Sequence, residues 1–300
     1  MQDHRSREVF VSSGSFATTS LWEMIDTAVV NGLPAIELSA SLEPDPHFLD
    51  TLQQSRKHRL RYLVHNYFPA SEDPFVLNLA SSQSDIRNRS LAHCRLAIEL
   101  SRALGAEFYS VHAGFAFDPA PGELGRRMHP AAVQDREEAY RIFLQSVHEL
   151  TAHAAKNAVR LAIENNVLTC ENAPQGKNSL LLMVEAEELL RLSEDVRSPY
   201  LGFLIDVGHL AVSARTLGFD PVQFLEMVGG KTLAFHLSVN DGRTDQNLPF
   251  DSTAWFIPLL KGFAHATMIL ECRPAPIGEI QSSRRAVAAA LKGCQRQSKN

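Results

Sequence analysis

Six short apolar runs between positions 65 and 271 each end in a residue that can carry acid–base or metal chemistry. The residues that end them are His65, His112, Glu164, Asp206, His236 and Glu271. Burying several carboxylates together is costly unless a proton or a cation compensates them. A mixed oxygen and nitrogen ligand set suits Mn²⁺, Zn²⁺, Co²⁺ or Mg²⁺. If the fold brings these residues together, the sequence predicts a catalytic cluster built around a divalent metal.

Each residue also has an ordinary structural interpretation. A lone histidine at a strand end is often a hydrogen-bonded structural residue, and Asp206 has the position of a helix N-cap. Glu164 and Glu271 resist that interpretation, because each follows three apolar residues and would be carried inward. Arg273 lies two residues past Glu271, where it either binds a substrate oxyanion or phosphate or is an ordinary surface arginine. The repetition over six runs favours a functional cluster.

The apolar runs have the length and burial pattern of parallel β-strands, which are buried on both faces. The predicted strands are Val9–Ser12, Ala35–Ser39, Tyr62–Asn66, Phe108–His112, Leu161–Asn165, Leu201–Asp206, Leu233–Leu237 and Thr267–Glu271. Helical periodicity lies between them. The predicted helices are Ser20–Asn31, Ser90–Leu104, Ala131–Asn157, Leu180–Leu192, Pro221–Val228, Thr253–Phe263 and Glu279–Lys292. Long loops are predicted at Phe68–Arg89, Ala113–Pro130 and Ser238–Ser252.

This alternation predicts an α/β fold, a (β/α)₈ TIM barrel in a single domain over residues 1–300 with its core at about 9–292. An open doubly wound sheet is the structural alternative. No G-x-G-x-x-G follows the first strand, so the nucleotide-binding form of that sheet has no support. In a barrel, the carboxyl ends of the strands converge on one face, which carries the active site. The six chemical residues would then meet there.

The amino-acid composition limits the classes of binding partner that we expect. The net charge of −5, from 34 acidic and 29 basic residues without long runs of either sign, makes nucleic acid an unexpected partner. Four scattered cysteines, Cys94, Cys170, Cys272 and Cys294, are typical of a reduced protein. The charged first residues do not resemble a signal peptide, and no apolar run is long enough for a membrane helix. We therefore expect a cytoplasmic protein without a membrane partner; its oligomeric state, monomer or homo-oligomer, is left open.

At these residues the sequence resembles the xylose-isomerase-like barrel superfamily, roughly from Val9 to Pro274. That group includes sugar isomerases and epimerases, inosose dehydratase, hydroxypyruvate isomerase and endonuclease IV. The resemblance implies that Glu164, Asp206, His236 and Glu271 are the metal ligands, because they match the superfamily's set in order and spacing. The D-x-x-H pair of Asp206 and His209 and the stretch from His236 to Asp241 are further marks of the group, although Val239 stands where an aspartate is common.

Two stretches are similar to the endonuclease branch. One joins His65 to Tyr67-Phe68-Pro69 and the later Leu77-Asn78-Leu79-Ala80-Ser81, and the other is His112-Ala-Gly. In that branch, His65, His112 and Glu164 would hold a second metal, and a later D-x-H would complete a third site. Here that motif reads Asp245-Gln246-Asn247, which argues against a three-zinc centre. In isomerase relatives, His65, His112 and His209 would instead bind substrate hydroxyls.

The leading hypothesis is a metal-dependent isomerase or epimerase of a sugar or sugar phosphate, with a small carbohydrate as its partner and a role in carbohydrate metabolism. Strands five and eight lie nearly opposite in an eight-stranded ring, so Glu164 and Glu271 are expected to exchange protons with opposite faces of a cis-enediolate. The alternatives are an inosose-type dehydratase, a metal-dependent phosphodiesterase acting on abasic DNA, and a carbohydrate-binding barrel without catalysis.

Overall fold

The structure, a computed structural model, describes residues 8–292 and contains eight parallel strands. They are β1 (Phe10–Ser12), β2 (Ala35–Leu38), β3 (Arg61–His65), β4 (Phe108–His112), β5 (Arg160–Glu164), β6 (Leu201–Asp206), β7 (Thr232–Leu237) and β8 (Thr267–Leu270). Neighbouring strands pair in chain order, and β1 pairs with β8, so that the sheet closes into a barrel. The predicted (β/α)₈ fold is confirmed, and every predicted strand boundary lies within one residue of the observed one.

The period of two along each strand sorts the inward side chains into layers. The lower layer is apolar and includes Ala35, Leu63, Ala162, Leu204, Ala234 and Ile269. Two residues further along the same strands come Glu37, His65, Glu164, Asp206, His236 and Glu271. The inward face therefore changes from aliphatic to acidic and imidazole side chains in one step, and the polar layer lies at the carboxyl ends of the strands.

Helices surround the barrel and bury their apolar faces against the outward side chains of the strands. They are α1 (Leu21–Val30), α2 (Phe48–Ser55), α3 (Ser84–Leu104), α4 (Arg136–Asn157), α5 (Ala186–Val196), α6 (Val207–Leu217), α7 (Pro221–Val228) and α8 (Ile277–Lys292). After β7 the place of a helix is taken by a 3-10 segment, Ile257–Phe263.

Several helix predictions differ from the structure. Helices α2 and α6 were not predicted, and α3 begins at Ser84 rather than at position 90, which shortens the predicted loop 68–89. Helix α4 begins at Arg136, five residues after the predicted start, and α5 begins at Ala186 instead of position 180. The predicted helix over positions 253–263 is only partly helical and is of the 3-10 type, in a stretch that contains Pro258 and Gly262.

Two further predictions from the composition concern the cysteines and the membrane-spanning helices. Cys94, Cys170 and Cys272 are free thiols, whereas Cys294 and the charged first seven residues lie outside the described part of the chain. Over residues 8–292, no helix combines the length and the apolar content that crossing a membrane would require.

Candidate metal centre at the barrel mouth

His236, on β7, lies at the centre of the polar layer and is fully buried. Its Nδ1 atom is 2.9 Å from Glu271 Oε2 and 3.2 Å from Glu164 Oε1. Asp206 Oδ2 lies 3.8 Å from the same nitrogen. Strands β5, β6 and the residue following β8 thus bring three carboxylates to one edge of one imidazole ring.

The opposite edge of the ring meets a carboxylate that the sequence analysis did not find. Glu37 on β2 is fully buried, and both of its carboxylate oxygens lie near His236 Nε2, at 3.1 Å and 3.0 Å. Glu37 lies inside an apolar run, between Ile36 and Leu38, and does not end it as the six predicted residues end theirs. The period of two from Ala35 would have placed it on the inner face.

Two further histidines lie above this centre. His65 Nε2 is 3.5 Å from Glu164 Oε2, and its Nδ1 is 3.0 Å from the hydroxyl of Ser110. His112 Nδ1 is 3.6 Å from the same oxygen of Glu164. The His112 side chain retains 31% of its exposed surface, so it borders the open mouth of the barrel. Both histidines lie where the sequence predicts them.

Asp206 caps a helix with one carboxylate oxygen and faces His236 with the other. One oxygen, Oδ1, accepts a hydrogen bond of 2.7 Å from the backbone of His209 and caps α6, as a strand-end aspartate would. The other, Oδ2, faces His236. Helix α6 follows β6 directly, which brings His209 to the site with its Nδ1 atom 2.9 Å from the backbone oxygen of Asn165 and 3.6 Å from Glu164 Oε1.

The electrostatics show an excess of acid groups. Burial alone would raise the pKa of Glu164, but His112, His236 and His65 outweigh it and lower that pKa to about 2. Burial lowers the pKa of His112 itself to about 4, so this ring is neutral at neutral pH.

Burial works against a charged His236, but Glu271, Glu37 and Glu164 outweigh it and raise its pKa well above the ordinary value. Burial also raises the pKa of Asp206 well above its ordinary range, with further contributions from Glu271 and neighbouring acids. The carboxylates thus compete for too few positive charges, and one of them is held towards its neutral form.

Unpaired oxygens mark where an added cation would fit. Glu164 Oε2 and Asp206 Oδ2 are buried without a hydrogen-bond partner. One ligand atom from each of Glu164, Asp206, His236 and Glu271 lies within 4.8 Å of the others. Buried, unpaired carboxylate oxygens are rare because they are costly. The donor set and its orphaned oxygens fit a divalent metal; His65, His112 and Glu164 form a second group with that capacity.

The stretches that resemble the endonuclease branch have a structural role here. Asn78 is fully buried, its Oδ1 accepts from the backbone of Ala80 and Phe115 at 3.0 Å, and its Nδ2 donates to Phe115, Phe117 and Asp118. A side chain at Gly114 would place its Cβ 2.5 Å from that of Ala80. These residues join the loops after β3 and β4 to each other.

The loop after β7 holds the altered third-site motif. Asp245 Oδ2 lies 3.3 Å from His209 Nε2 and accepts a 3.2 Å hydrogen bond from the Asn247 amide, whose oxygen accepts from Ser238. Asn247 thus holds Asp245 towards His209. Over residues 8–292, no group of histidine, cysteine, aspartate and glutamate side chains with metal-binding capacity includes Asp245.

Arg273 is the one predicted site residue that the structure does not join to the cluster. It is exposed, and its backbone N–H donates to the backbone oxygen of Asn247 at 2.6 Å. Its guanidinium forms no hydrogen bond or ion pair with any residue between 8 and 292.

The closed parallel barrel and the acidic cluster at its carboxyl face define a TIM-barrel protein with a candidate metal centre. A family model described as xylose isomerase-like TIM barrel matches residues 25–291. The chain belongs to this family, as the sequence resemblance predicts. None of the curated proteins matches it significantly.

Solved structures share the fold. A D-tagatose 3-epimerase-like protein is 19% identical, with a TM-score of 0.73 over 97% of this chain and 99% of that one. D-psicose 3-epimerase from Clostridium cellulolyticum, solved with D-tagatose, is 13% identical, with a TM-score of 0.64 over 96% and 98%. A Thermus thermophilus protein soaked with ZnCl2 is 20% identical, with a TM-score of 0.61 over 94% and 98%.

Proposed function

We propose that the protein is a divalent-metal-dependent epimerase or isomerase acting on a sugar or sugar phosphate. The observation that carries the proposal is the convergence of Glu164 and Glu271 on one nitrogen of His236, with carboxylate oxygens left unpaired beside it. The family membership supports it, and so do two structural neighbours, one named as a D-tagatose 3-epimerase-like protein and the other as a D-psicose 3-epimerase.

The metal would be held by Glu164, Asp206, His236 and Glu271, and the set suits Mn²⁺, Zn²⁺, Co²⁺ or Mg²⁺. When bound, it would act as a Lewis acid towards the carbonyl and an adjacent hydroxyl of the substrate. The other contributions come from side chains of the chain itself.

Glu164 and Glu271 are the proposed proton carriers. Glu271 keeps 23% of its side chain exposed, whereas Glu164, which approaches the same nitrogen of His236 from a different strand, is fully buried. One carboxylate would remove the proton from the carbon next to the carbonyl, which gives a planar cis-enediolate. Return of a proton to the opposite face by the other carboxylate would epimerise that carbon, and return to the neighbouring carbon on the same face would isomerise aldose and ketose.

The histidines around the centre would bind the substrate. His65 is oriented by Ser110, so that its Nε2 atom lies 3.5 Å from Glu164 Oε2. His209 is held by the backbone oxygen of Asn165 at Nδ1 and by Asp245 at Nε2. His112 lies at the open mouth. These three rings would donate to or accept from substrate hydroxyls. Arg273, exposed at the rim, would reach only the distal end of a larger or phosphorylated substrate.

The test is exchange of substrate hydrogen with solvent deuterium. A panel of ketoses is incubated in D₂O with the purified metal-loaded protein, and exchange at the carbon next to the carbonyl is followed by NMR. We expect exchange by the native protein and a loss of about 10²–10⁴-fold in Glu164→Gln and Glu271→Gln. Metal content is measured in each variant, because both residues are also proposed ligands.

A matched control and the opposing outcomes complete this test. Glu72→Gln changes an exposed acid in the loop after β3 and should leave exchange unchanged. Exchange that is unaffected in both site variants would remove their acid–base role, and binding without exchange would indicate a carbohydrate-binding barrel. A product that has lost one water would indicate a dehydratase.

A phosphodiesterase is the second candidate, because His65, His112 and Glu164 have the arrangement of a second metal site. Against it stands Asn247, which bridges Ser238 and Asp245 in place of a third-site histidine. Three zinc ions per chain together with cleavage of abasic duplex would favour this candidate, and one ion without cleavage would exclude it.

A further inference from the structure

Glu37 is a buried acid whose contacts single out one partner. It lies on β2, in register with Ser12 of β1 and Leu63 of β3. Within residues 8–292, its side chain has hydrogen-bond contacts only with His236 Nε2, and both carboxylate oxygens lie within 3.1 Å of that atom. A fully buried carboxylate is stable only when a donor satisfies it. Its position is therefore defined by one histidine on the far side of the barrel.

We propose that Glu37 is a positioning residue that fixes the orientation and the tautomer of His236, so that Nε2 carries the proton and Nδ1 presents its lone pair to the metal. This inference rests on the metal centre of the proposed function. Imidazole has two ring nitrogens, and only the unprotonated one can bind a metal. Three carboxylates lie around Nδ1 and one around Nε2, so the ring has a metal-binding edge and an anchoring edge.

The energetic reason for this role is that a buried imidazole can adopt either tautomer, and either of two flipped orientations, unless a hydrogen-bond partner favours one of them. An N–H donated to a carboxylate stabilises a single tautomer and makes the opposite nitrogen more electron-rich. Without Glu37, the apolar layer below the site offers no acceptor, because the inward residues there are aliphatic side chains such as Ala35 and Ala234. His236 would then lose its anchor while every metal ligand stayed in place.

Glu37 has a second potential role, which the same experiment separates. Together with His65 and His236 it forms a group whose ligand atoms lie within 4.8 Å. If Glu37 were itself a ligand, a metal would have to bind His236 through Nε2 and face away from the carboxylates of the main centre.

The test measures metal binding rather than turnover. Dissociation constants for Co²⁺ alone are obtained by competition with a chromophoric chelator, together with the visible spectrum of the bound ion. We expect Glu37→Leu to weaken Co²⁺ binding by about 10–100-fold, as loss of an outer-shell partner does. Glu37→Gln keeps an acceptor oxygen and should retain most of the affinity. Asp206→Asn, which removes a ligand, should change the Co²⁺ spectrum itself.

Glu188→Gln is the control for general destabilisation, since Glu188 is a partly buried acid paired with Arg136 away from the barrel mouth. It should leave Co²⁺ binding unchanged. If Glu37→Leu does not fold, the native protein still tests the inference, because NMR of histidine-labelled protein loaded with cadmium identifies the bound nitrogen. Cadmium coupling to Nδ1 of His236 is the expected result.

Three results would overturn the inference. They are cadmium coupling to Nε2, affinity of Glu37→Leu equal to that of Glu188→Gln, and a Glu37→Gln variant as weak as Glu37→Leu. The last two leave the metal centre and the proposed activity standing, whereas coupling to Nε2 would move the ion from the main centre to the group of Glu37, His65 and His236. Failure of the native protein to bind any divalent ion would instead overturn the proposed function and this inference together.

Discussion

At the residue scale, the site depends on His236, which three carboxylates approach at one nitrogen and one at the other. These acids raise its pKa well above the ordinary value even though burial opposes a charged ring. The raised pKa favours the doubly protonated ring in the metal-free protein. A metal and a proton cannot share Nδ1, so binding of one requires release of the other.

We predict that metal affinity rises with pH. Below the pKa of His236, each unit of pH should tighten binding by about tenfold for each proton released. The dependence should level off once the metal-free ring has lost its proton. Calorimetry in buffers of different ionisation enthalpy gives the number of protons released, and an affinity that does not change with pH would contradict the prediction.

The residues that the sequence predicted and those that it missed differ in one respect. Six sites were found because a polar side chain directly followed an apolar run. Glu37 was missed because it lies inside such a run, between Ile36 and Leu38. Arg273 was named from its distance to Glu271 along the chain, but its side chain is exposed beyond the strand, where the alternation of the strand no longer orients it.

At the scale of elements, strands were easier to predict than helices. Each strand is buried over most of its length, so its sequence is mostly apolar and its limits are sharp. Helix α6 was missed because it begins directly after β6, with Asp206 serving as both the strand end and the N-cap. The stretch predicted to begin α5 instead forms a loop in which Leu181 bridges to Phe115, so contacts distant in sequence decide its conformation.

The loops after β3 and β4 are held together at Gly114, and this gives a prediction for that contact. Gly114→Ala would bring its new Cβ within 2.5 Å of the Ala80 Cβ and 2.9 Å of the Ala80 backbone nitrogen. We expect a loss of about 1–3 kcal/mol in the free energy of unfolding, the range for overpacking.

Gly122→Ala is the control for that substitution, since it lies in the same loop and its Cβ would meet no atom within 4 Å. Chemical denaturation of both variants measures the difference. Equal stability of the two variants would mean that the loops accommodate the added methyl group without cost. The close packing at Gly114 would then contribute nothing to stability.

At the scale of the whole molecule, the barrel could be predicted because eight similar strands repeat one pattern, and each repeat supports the same interpretation. The contacts between residues distant in sequence follow from that topology. Closure of the barrel brings Glu37 and His236 together, although they are 199 positions apart in the sequence. The substrate could not be predicted in this way. Its recognition depends on loops whose conformations come from contacts such as those of Asn78 and Asn247.

The four proposed ligands lie on, or immediately after, the consecutive strands β5 to β8, while Glu37 alone reaches the ring from β2. An ion at the centre would therefore restrain one side of the barrel and, through a single hydrogen bond, one strand opposite. We predict that metal slows amide hydrogen exchange at the carboxyl ends of β5–β8 and in β2, and changes the helix α4 little.

In Glu37→Leu, measured with metal at saturation, the protection of β5–β8 should remain and that of β2 should disappear. Uniform protection around the ring would contradict this picture. The barrel would then respond to its metal as one rigid body. The expected alternative is that the β5–β8 side of the closed barrel stiffens when the metal binds, and that the Glu37 carboxylate extends this effect across the barrel to β2.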